Sequence, residues 1–423
     1  MISLVDANNF YVSCERAFKP ALEGKPVAVL SNNDGCVISR SPECKALGVE
    51  MGTPYFKLKD TGIVFRSSNY ELYGDMSARI VATLGTYTPD VEQYSIDEAF
   101  LHFDEGAGRR AGGWEALGKA IRARVLKWTG VPCGVGFAPT RTLAKIANHI
   151  GKKRPGGVFV MPEDANEVLA TLPVEEVWGV GRRLVERLQR AGVWYAGQLA
   201  GCGADFFRRH KFAVTLARTA MELRGVPATE ADPVERENPQ SVNVSRMFGE
   251  PVTDAAGLCE AVATHAAAAA VKLRQAGMVA AGANVYVQEC APPGTGGWHD
   301  ANWWTPFITA TVSFATPTAA TGEILPALRP AVEGLYAPGK RYRRAGVLFF
   351  GLEKESVAGD LFSGRPSDRP AAKLSAAVDA INARLGRNTV FFAATGTSRK
   401  WRMKREMLSS RFTTRWDELL VVK

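Results

Sequence analysis

The chain has 423 residues, of which 46% are hydrophobic and 22% are charged, and this ordinary globular composition excludes wholesale disorder. At about 100–200 residues per domain, the length predicts two to four domains. The 52 lysines and arginines outnumber the 43 acidic residues, and the resulting net charge of +9 is a mild indication of a polyanionic partner.

Several classes of protein are disfavoured by simple counts. No stretch approaches about 20 uninterrupted apolar residues, so the sequence predicts no membrane partner. The seven cysteines are odd in number and contain no C-x-x-C pair, which indicates neither a zinc site nor a disulfide framework. The first residues lack the pattern of a signal peptide, because Asp6 falls where an apolar core would begin. A reducing, cytoplasmic setting is therefore expected.

The first 165 residues predict a mixed α/β unit in which an acid ends the first strand. The predicted strands cover residues 1–5, 26–30, 37–39, two segments within 91–103 with an abrupt break at 95–98, and 131–138. The predicted helices cover residues 8–18, 42–47, 71–84, 114–127 and a stretch that begins at Thr140. Residues 31–35 have strong turn chemistry, and residues 152–157 are interpreted as a basic connection rich in glycine and proline.

The remainder predicts a helical region, a linker at residues 231–240 and a second α/β unit. Its predicted strands cover residues 241–248, 284–287, 307–314 and 345–350, and its helices cover 258–275 and 326–335. Residues 353–370 are predicted to be a loop, and the tail from 371 to 423 to contain one helix followed by dense basic and aromatic residues.

Three acidic residues form the strongest chemical pattern. Asp6 ends the first strand, and Asp97 and Glu98 fall at the break within residues 91–103. Adjacent side chains on a regular strand point to opposite faces, so this pair converges only where a hairpin interrupts the alternation. Clustered carboxylates repel one another unless cations neutralise them, and Mg²⁺ prefers such oxygen ligands. The alternative from spacing alone is three unrelated surface acids.

Four motifs in order resemble one family over nearly the whole chain. The runs DANNFY at residues 6–11 and YSIDEAF at 94–100 resemble the palm of Y-family translesion DNA polymerases. The runs SNNDGCVI at 31–38 and SSNYELY at 67–73 are similar to the UmuC-type catalytic subunit of DNA polymerase V.

The resemblance implies an α/β multi-domain, right-hand fold with an RRM-like palm, small fingers, a helical thumb, an α/β little finger and a C-terminal extension. The implied palm comprises residues 1–25 and 72–165, and the fingers comprise 26–71. The thumb, with a helix-hairpin-helix, would be 166–232, the little finger 241–350 and the UmuC-type extension 351–423.

The implied activity is template-directed DNA synthesis, error-prone and belonging to the SOS response to DNA damage. Asp6, Asp97 and Glu98 would be catalytic and would hold two Mg²⁺ ions, with the backbone carbonyl of Ala7 as a further ligand. A primer 3′-hydroxyl would attack the α-phosphate of a dNTP, with catalysis by positioning and charge stabilisation.

The nucleotide site is implied in the same way. Phe10 would contact the nucleotide, and Tyr11 would be a steric gate whose ring excludes a ribose 2′-hydroxyl; the alternative is an ordinary core tyrosine. The implied phosphate-binding residues are Ser39, Arg40, Lys45 and Lys145. Helical spacing places Arg141 on the face of Lys145, and we interpret Arg141 as part of a solvated basic face.

The fingers depart from many Y-family members at two positions. This chain has Pro42 where they carry an aromatic residue and Lys45 where they carry arginine. Lysine is a point charge and not a planar fork, so the triphosphate contact is expected to be looser.

Three segments indicate contacts with DNA. Gly179-Val180-Gly181 followed by Arg182 resembles a helix-hairpin-helix, whose backbone N–H groups bind a phosphate without reading sequence. In the implied little finger, Arg246 is a candidate backbone contact. Arg341, Arg343 and Arg344, beside the strand predicted at 345–350, are further candidates, and the alternative for these three is a solvated strand end. Primer-template DNA is accordingly the expected partner, and binding should be sensitive to salt.

Other partners follow from the resemblance. Leu361 and Phe362, after Asp360, are similar to a sliding-clamp docking peptide that lacks its usual leading glutamine; the alternative is an internal pocket for these two side chains. The basic and aromatic tail from Ser398 could bind single-stranded DNA, bind a protein or fold back on the core, and we favour a protein partner. A UmuD-type dimer and RecA are implied.

Two other functions are weighed against the polymerase. A non-catalytic DNA-binding scaffold on a degenerate polymerase fold is disfavoured because the catalytic pattern is intact. A nucleotidyl cyclase with a similar palm leaves the hairpin motif, the little finger and the tail unexplained. The localisation expected for a polymerase is cytoplasmic, and nucleoid-associated when active.

Overall fold

A computed structural model describes residues 1–229, 239–291, 305–355, 369–386 and 388–419. The chain forms two compact units. The first comprises Met1–Ser31, Gly35–Val234 and Met407–Lys423, and the second comprises Asn32–Asp34 and Glu235–Glu406. Within the described residues no helix has the length and apolar character needed to cross a membrane, and all seven cysteines are free thiols.

The first unit contains two sheets and eleven α-helices among its described residues. Its strands are β1 (Ile2–Ala7), β2 (Val27–Leu30), β3 (Val37–Arg40), β4 (Val64–Ser67), β5 (Val91–Gln93), β6 (Glu98–His102), β7 (Cys133–Ala138) and β8 (Val158–Val160). Its helices are α1 (Phe10–Phe18), α2 (Pro42–Ala46), α3 (Tyr70–Leu84), α4 (Ala107–Arg110), α5 (Trp114–Thr129), α6 (Arg141–Lys153), α7 (Asn166–Thr171), α8 (Arg182–Arg190), α9 (Ala196–Gly201), α10 (Ala204–Arg209) and α11 (Val214–Leu223).

The larger sheet has the order β5-β6-β1-β7-β8, with β1 antiparallel to both neighbours. Alternate residues of β1 serve different cores: Val5 packs with α1, α3 and α5, whereas Leu4 packs with α6 and the helices that follow. The first strand therefore lies at the centre of the sheet and is buried on both faces, as its apolar run predicts.

Two glycines of β7 allow α6 to lie directly on the sheet. A side chain at Gly136 would come within 2.1 Å of the backbone nitrogen of Asn148, and one at Gly134 would come within 2.8 Å of Lys152 Cγ. Backbone atoms cannot move aside as a flexible side chain can, so Gly136 in particular is required for this close packing.

The helix α6 is longer than the sequence indicated. Residues 152–157 were interpreted as a connection, but α6 runs through Lys153, with Thr140 as N-cap accepting from the Leu143 N–H. The basic and glycine-rich composition disguised the last turn, whose buried Gly151 packs against Phe159. Basic residues are favourable at a helix C-terminus because they face the negative end of its dipole.

The smaller sheet, with the order β3-β2-β4, is formed by residues 27–67. Strand β2 is parallel to β4 and antiparallel to β3, and a compact apolar cluster includes Leu30, Val37 and Cys44. Strand β4 is at the edge of this sheet.

The second unit is a four-stranded antiparallel sheet packed against two helices. Its elements are β9 (Val242–Val252), α12 (Ala255–Gln275), β10 (Met278–Glu289), β11 (Phe307–Thr318), α13 (Thr321–Leu335), β12 (Tyr342–Lys354) and α14 (Pro370–Leu385), with the sheet order β11-β10-β12-β9. The expected start of a helix near Pro326 is wrong, because α13 begins five residues earlier, at Thr321, and contains Pro326 and Pro330. Proline favours the first turn of a helix, which misplaced the boundary.

Candidate active site

The three predicted catalytic acids meet at one end of two neighbouring strands. Asp6 lies directly opposite Glu98 in the antiparallel register of β1 and β6, so the two side chains share a face of the sheet. The Ala7 N–H donates to the backbone oxygen of Asp97 at 2.9 Å, which fixes the turn before β6 against the end of β1. The hairpin break inferred from the sequence therefore places the acids together.

Ser95 organises the turn that carries Asp97. Its hydroxyl donates to Asp97 Oδ1 at 2.6 Å and accepts from the backbone N–H groups of Asp97 at 3.2 Å and Glu98 at 3.1 Å. A serine side chain that bonds neighbouring backbone groups is typical of tight turns. Nothing in the sequence reasoning singled out Ser95, although it precedes the acids by two and three residues.

The buried position of Asp6 and its two acidic neighbours both disfavour its charged form. Burial raises the pKa of Asp6 to about 6; the nearby charge of Lys152 opposes this rise, while Glu98 and Asp97 add to it. Lys152 Nζ lies 2.6 Å from Asp6 Oδ1. Lys145 Nζ donates to both oxygens of Glu98, at 2.9 and 3.0 Å. Two lysines therefore pair with two of the three acids at this edge of the sheet.

One face of α6 supplies these cations. Lys145 and Lys152 are seven residues apart, which is two helical turns, and both point at the sheet. The expectation of a solvated face is wrong for Arg141, because its side chain is 8% exposed and forms an ion pair with Glu92 on β5. Lys152 was missed as a site residue, although its spacing from Lys145 was a usable signal.

The acids have the chemistry of a magnesium site but not a closed ligand shell. Among the described residues, no three histidine, cysteine or acidic side chains are grouped as metal ligands, because each carboxylate is turned towards its own partner. The donor set nevertheless fits Mg²⁺: three carboxylates share one edge, and those of Glu98 and Asp97 already raise the pKa of Asp6. A divalent cation would compete with the lysines for these carboxylates and draw the three acids together.

Tyr11 lies beside the acids. Its ring is stacked on Tyr73, with centroids 4.5 Å apart and an interplanar angle of 14°. Its pKa is raised to about 12, first by burial and then by Tyr70 and the charge of Asp97. Phe10 is 3% exposed and packs in the core, so its side chain does not face the site and only its backbone can contact a ligand.

The region of β3 and α2 contributes positive charge near the same place. The pKa of Lys45 is lowered by burial and by the charges of Arg40 and Lys152, so these three cations lie near one another. Arg40 donates to the carbonyl of Val49. The Ser39 oxygen accepts from the Val12 N–H at 3.4 Å, in the first turn of α1, which leaves its own O–H as a donor.

The helix-hairpin-helix region has the expected geometry. Gly179 has φ +87°, a conformation that glycine adopts readily, and Gly181 is the N-cap of α8. In the part of the chain that the structure describes, no atom beyond Gly181, its two neighbours and its own helix backbone lies within 4 Å of the position where a side chain on Gly181 would begin, so the backbone is open to a ligand there. Arg182 and Arg183 are both exposed at the positive end of α8, where a bound anion would relieve their unfavourable placement.

Two of the predicted DNA-contacting arginines of the second unit, Arg246 and Arg343, lie on the neighbouring strands β9 and β12. Arg246 lies on the same face of β9 as the buried Val244 and Phe248 and near α12, where burial and the charge of Arg246 lower the pKa of His265 to about 4. Arg343 lies at a register shift of β12. Arg344, the next residue of β12, lies on the opposite face from Arg246 and donates to Ser245 Oγ at 2.7 Å. The predictions for Arg246 and Arg343 stay predictions.

The basic and aromatic tail folds back where it is described. Trp401 is 8% exposed and contacts Phe248 and His265 edge to face, and Phe412 is stacked on Phe18 with centroids 5.0 Å apart. Of the three alternatives for the tail, these residues take the one that we did not favour. The proposed clamp peptide, Leu361 and Phe362, lies outside the described residues.

Family models match successive segments along the chain. The impB/mucB/samB family matches residues 5–149, its C-terminal domain matches 239–361, and the helix-hairpin-helix motif of the same family matches 162–193. A domain of unknown function, DUF4113, matches residues 372–422.

Individual relatives extend over the full length. Protein UmuC of Salmonella typhimurium is 42% identical over 433 aligned positions that cover all of both chains. Protein ImpB of the same species is 38% identical and covers 99% of both. DNA polymerase IV of Alkalilimnicola ehrlichii is 32% identical over 65% of this chain and 77% of that protein.

The fold is similar to that of solved polymerases. A Y-family DNA polymerase chimera of Dbh and Dpo4 superimposes with a TM-score of 0.65 and 19% identity, covering 84% of this chain and all of the other. A ternary complex of Dbh DNA polymerase gives a TM-score of 0.52 at the same identity and coverage of both chains. With the full-length relatives, these matches show that the chain belongs to the impB/mucB/samB family, the UmuC-type Y-family translesion DNA polymerases.

Proposed function

We propose that this chain extends a DNA primer by transferring the nucleotidyl group of a dNTP to the primer 3′-hydroxyl, with Asp6, Asp97 and Glu98 as the catalytic acids. The observation that carries the proposal is the register that sets Asp6 opposite Glu98, beside the turn that holds Asp97. Error-prone translesion synthesis in the SOS response is the family activity to which this site belongs.

The three carboxylates would hold two Mg²⁺ ions, with the carbonyl oxygen of Ala7 as a further ligand. When bound, such ions supply charge that activates the attacking oxygen and stabilises the leaving one. The protein's part is to hold the acids at one edge. The backbone bond from Ala7 to Asp97 and the hydroxyl of Ser95 keep that edge in place.

The dNTP triphosphate would be bound by the cations around the acids. Burial, and then the charges of Arg40 and Lys152, lower the pKa of Lys45, and an anion bound among these cations would relieve their repulsion. Ser39 would donate its hydroxyl, and the backbone N–H of Phe10 lies at the positive end of α1. Lys145 would leave Glu98 for a phosphate oxygen.

Tyr11 would discriminate between sugars. Its ring lies beside Asp97 and is held flat against Tyr73. A ring fixed in this way blocks the space below a nucleotide sugar, so a 2′-hydroxyl would meet it sterically.

DNA would be bound at two further places. The open backbone around Gly181, with Gly179 in the turn and Arg182 at the helix start, suits a phosphate of the duplex. Arg246 and Arg343 would contact phosphates from the second unit. These contacts carry no base information, which suits an enzyme that must accept any template.

Partner proteins complete the proposal. A UmuD-type dimer, RecA and a sliding clamp would support synthesis, with Leu361 and Phe362 as the clamp peptide. The domain boundaries proposed from the sequence are palm 1–25 and 72–165, fingers 26–71, thumb 166–232, little finger 241–350 and extension 351–423. The DNA substrate would place the enzyme in the cytoplasm, at the nucleoid when active.

Primer extension on undamaged and abasic templates tests the proposal. The purified full chain should extend the primer past the abasic site, alone or together with the UmuD-type partner, activated RecA and clamp. Failure on both templates under every combination, with duplex binding intact, would contradict the polymerase assignment and support a DNA-binding scaffold.

A further inference from the structure

We propose that the C-terminal segment of residues 407–412, which we call the tail clasp, positions the ring of Tyr11 and thereby tunes sugar selection. The inference rests on the proposed role of Tyr11. All of the contacts that carry it lie within the first unit.

The tail clasp is anchored along the edge strand β4. The Ser67 N–H donates to the carbonyl of Met407 at 3.1 Å, and the Met407 N–H donates to Ser67 Oγ at 2.9 Å. The fully buried Asn69 donates its amide to Ser409 Oγ at 2.9 Å and to the carbonyls of Ser409 and Ser410, each at 3.1 Å. Ser67 and Asn69, from the start of the SSNYELY run, therefore hold the tail clasp in place.

From the tail clasp a hydrogen-bonded path leads inwards to Tyr73. Ser409 Oγ donates to Glu15 Oε1 at 2.8 Å, and the hydroxyl of Tyr73 donates to the same oxygen at 2.7 Å. Glu15 is 2% exposed and Tyr73 is fully buried. Arg66 Nε lies 3.8 Å from the other oxygen of Glu15. A buried carboxylate needs its donors, so the position of Glu15 depends on both hydroxyls together with this arginine.

The path ends at the proposed gate. The ring of Tyr73 is the one on which Tyr11 is stacked, at 4.5 Å and 14°. If Glu15 loses the Ser409 donor, it recruits another group or shifts towards the Tyr73 hydroxyl, and the stacked pair moves with it. Sub-ångström changes are sufficient, since a steric gate depends on contact distance and the packed core transmits the shift.

A second contact restricts where the tail clasp can lie. Phe412 is stacked on Phe18, which ends α1, with centroids 5.0 Å apart and an interplanar angle of 8°. Tyr11 and Glu15 belong to the same helix. The tail clasp therefore touches α1 at its end and, through Glu15, at its middle, which makes α1 and its first-turn tyrosine sensitive to the tail.

The chain offers a matched pair of serines for the test. Ser409→Ala removes the donor to Glu15, whereas Ser410→Ala removes a neighbouring hydroxyl from a residue whose contribution to Asn69 is its backbone carbonyl. Ser409→Thr keeps the donor. Tyr73→Phe removes the other hydroxyl on Glu15 but keeps the ring, and it serves as a second variant if Ser409→Ala does not fold.

The measurement is the ratio of affinities for dNTP and the matching rNTP in a complex with a dideoxy-terminated primer-template and Mg²⁺. The full-length chain is used, with Tyr11→Ala and melting temperatures in parallel. We expect Ser409→Ala and Tyr73→Phe to lower the ratio about tenfold, the size associated with one hydrogen bond to a charged group. Ser410→Ala and Ser409→Thr should retain the wild-type ratio.

The outcomes separate the two proposals. If Tyr11→Ala loses discrimination while Ser409→Ala and Tyr73→Phe keep it, the positioning inference is wrong and the gate stands. If Ser410→Ala lowers the ratio as much as Ser409→Ala, the tail acts only through general stability and the inference is again wrong. If Tyr11→Ala discriminates as well as the wild type, the gate itself is wrong and the inference falls with it.

Discussion

Glu222 should stabilise α6, the helix that carries Lys145 and Lys152. This residue of α11 is 1% exposed, and one of its carboxylate oxygens accepts from both the N–H of Thr142, at 2.9 Å, and its hydroxyl, at 2.6 Å. The other oxygen accepts from the Thr229 N–H at 2.9 Å. Glu222→Gln replaces one of the two acceptor oxygens with an NH₂ group, which then faces donors, so either Thr142 in the first turn of α6 or Thr229 loses its buried acceptor.

The expected loss follows from these bonds. Hydrogen bonds to a charged group contribute about 1.5–3 kcal/mol, and a buried donor left unpaired costs about 1–3 kcal/mol. Since the amide keeps one of the two acceptor positions, we expect Glu222→Gln to lower the free energy of unfolding by about 3 kcal/mol. For a unit of this size that corresponds to a fall in melting temperature of roughly 6–12 °C.

Calorimetry of the full chain at pH 7 measures the shift, with Glu186→Gln on the exposed surface of α8 as the control. Glu186 forms an exposed ion pair with Arg190 at 3.9 Å, and this pair should contribute less than about 1 kcal/mol. A melting temperature for Glu222→Gln within about 2 °C of the wild type would refute the reasoning.

The same comparison has a pH dependence of known sign. Burial by itself would raise the pKa of Glu222, but the hydrogen bonds from Thr142 and Thr229 outweigh it and the pKa is lowered. Its stabilisation is therefore fully present above the pKa of an unfolded glutamate, about 4.3, and is lost as the pH falls through the lower folded value. The difference between wild type and Glu222→Gln should be constant from pH 6 to 8 and shrink in acid.

Two further predictions concern substrate binding. Lys45→Met should raise the KM for dNTP about tenfold in steady-state incorporation, because a charged phosphate contact is lost. Lys59→Met, at an exposed position in the same region of the chain, should leave the KM unchanged. A KM for Lys45→Met equal to that of the wild type would contradict the role. Gly179→Ala should lower the melting temperature, because alanine is strained at φ +87° by about 1–2 kcal/mol. Gly181→Ala should leave the melting temperature unchanged but weaken duplex binding in a fluorescence titration. Unchanged binding by Gly181→Ala would exclude a phosphate contact there.

Local sequence was sufficient for the parts of the site that depend on local structure. A strand ending in an acid, and a pair of acids at a break in alternation, predicted the positions of Asp6, Asp97 and Glu98, and the register of β1 and β6 brings them together. Helical spacing likewise predicted that Lys145 shares a face with Arg141. The partner of Arg141, Glu92, is 49 residues away, so its burial left no local signal.

The boundaries and long-range contacts were less accessible. The end of α6 looks like a loop because lysine, arginine, proline and glycine follow one another, and Lys152 was lost with it. The tail illustrates the larger limit: Asn69 and Ser409 are 340 residues apart, and nothing in the composition of a basic, aromatic segment distinguishes an internal partner from an external one. Tertiary packing decides between them.

Single-nucleotide incorporation by Asp97→Asn tests the central claim most directly. The change removes the charge but keeps the size, and Asp90→Asn makes the same change at an exposed position seven residues earlier. Incorporation is measured with dNTP, Mg²⁺ and primer-template, and duplex affinity is measured in parallel. Asp97→Asn should abolish incorporation while binding DNA as well as the wild type does. Asp90→Asn should match the wild type in both measurements. Incorporation by Asp97→Asn at a rate near that of the wild type would contradict the catalytic role of the three acids.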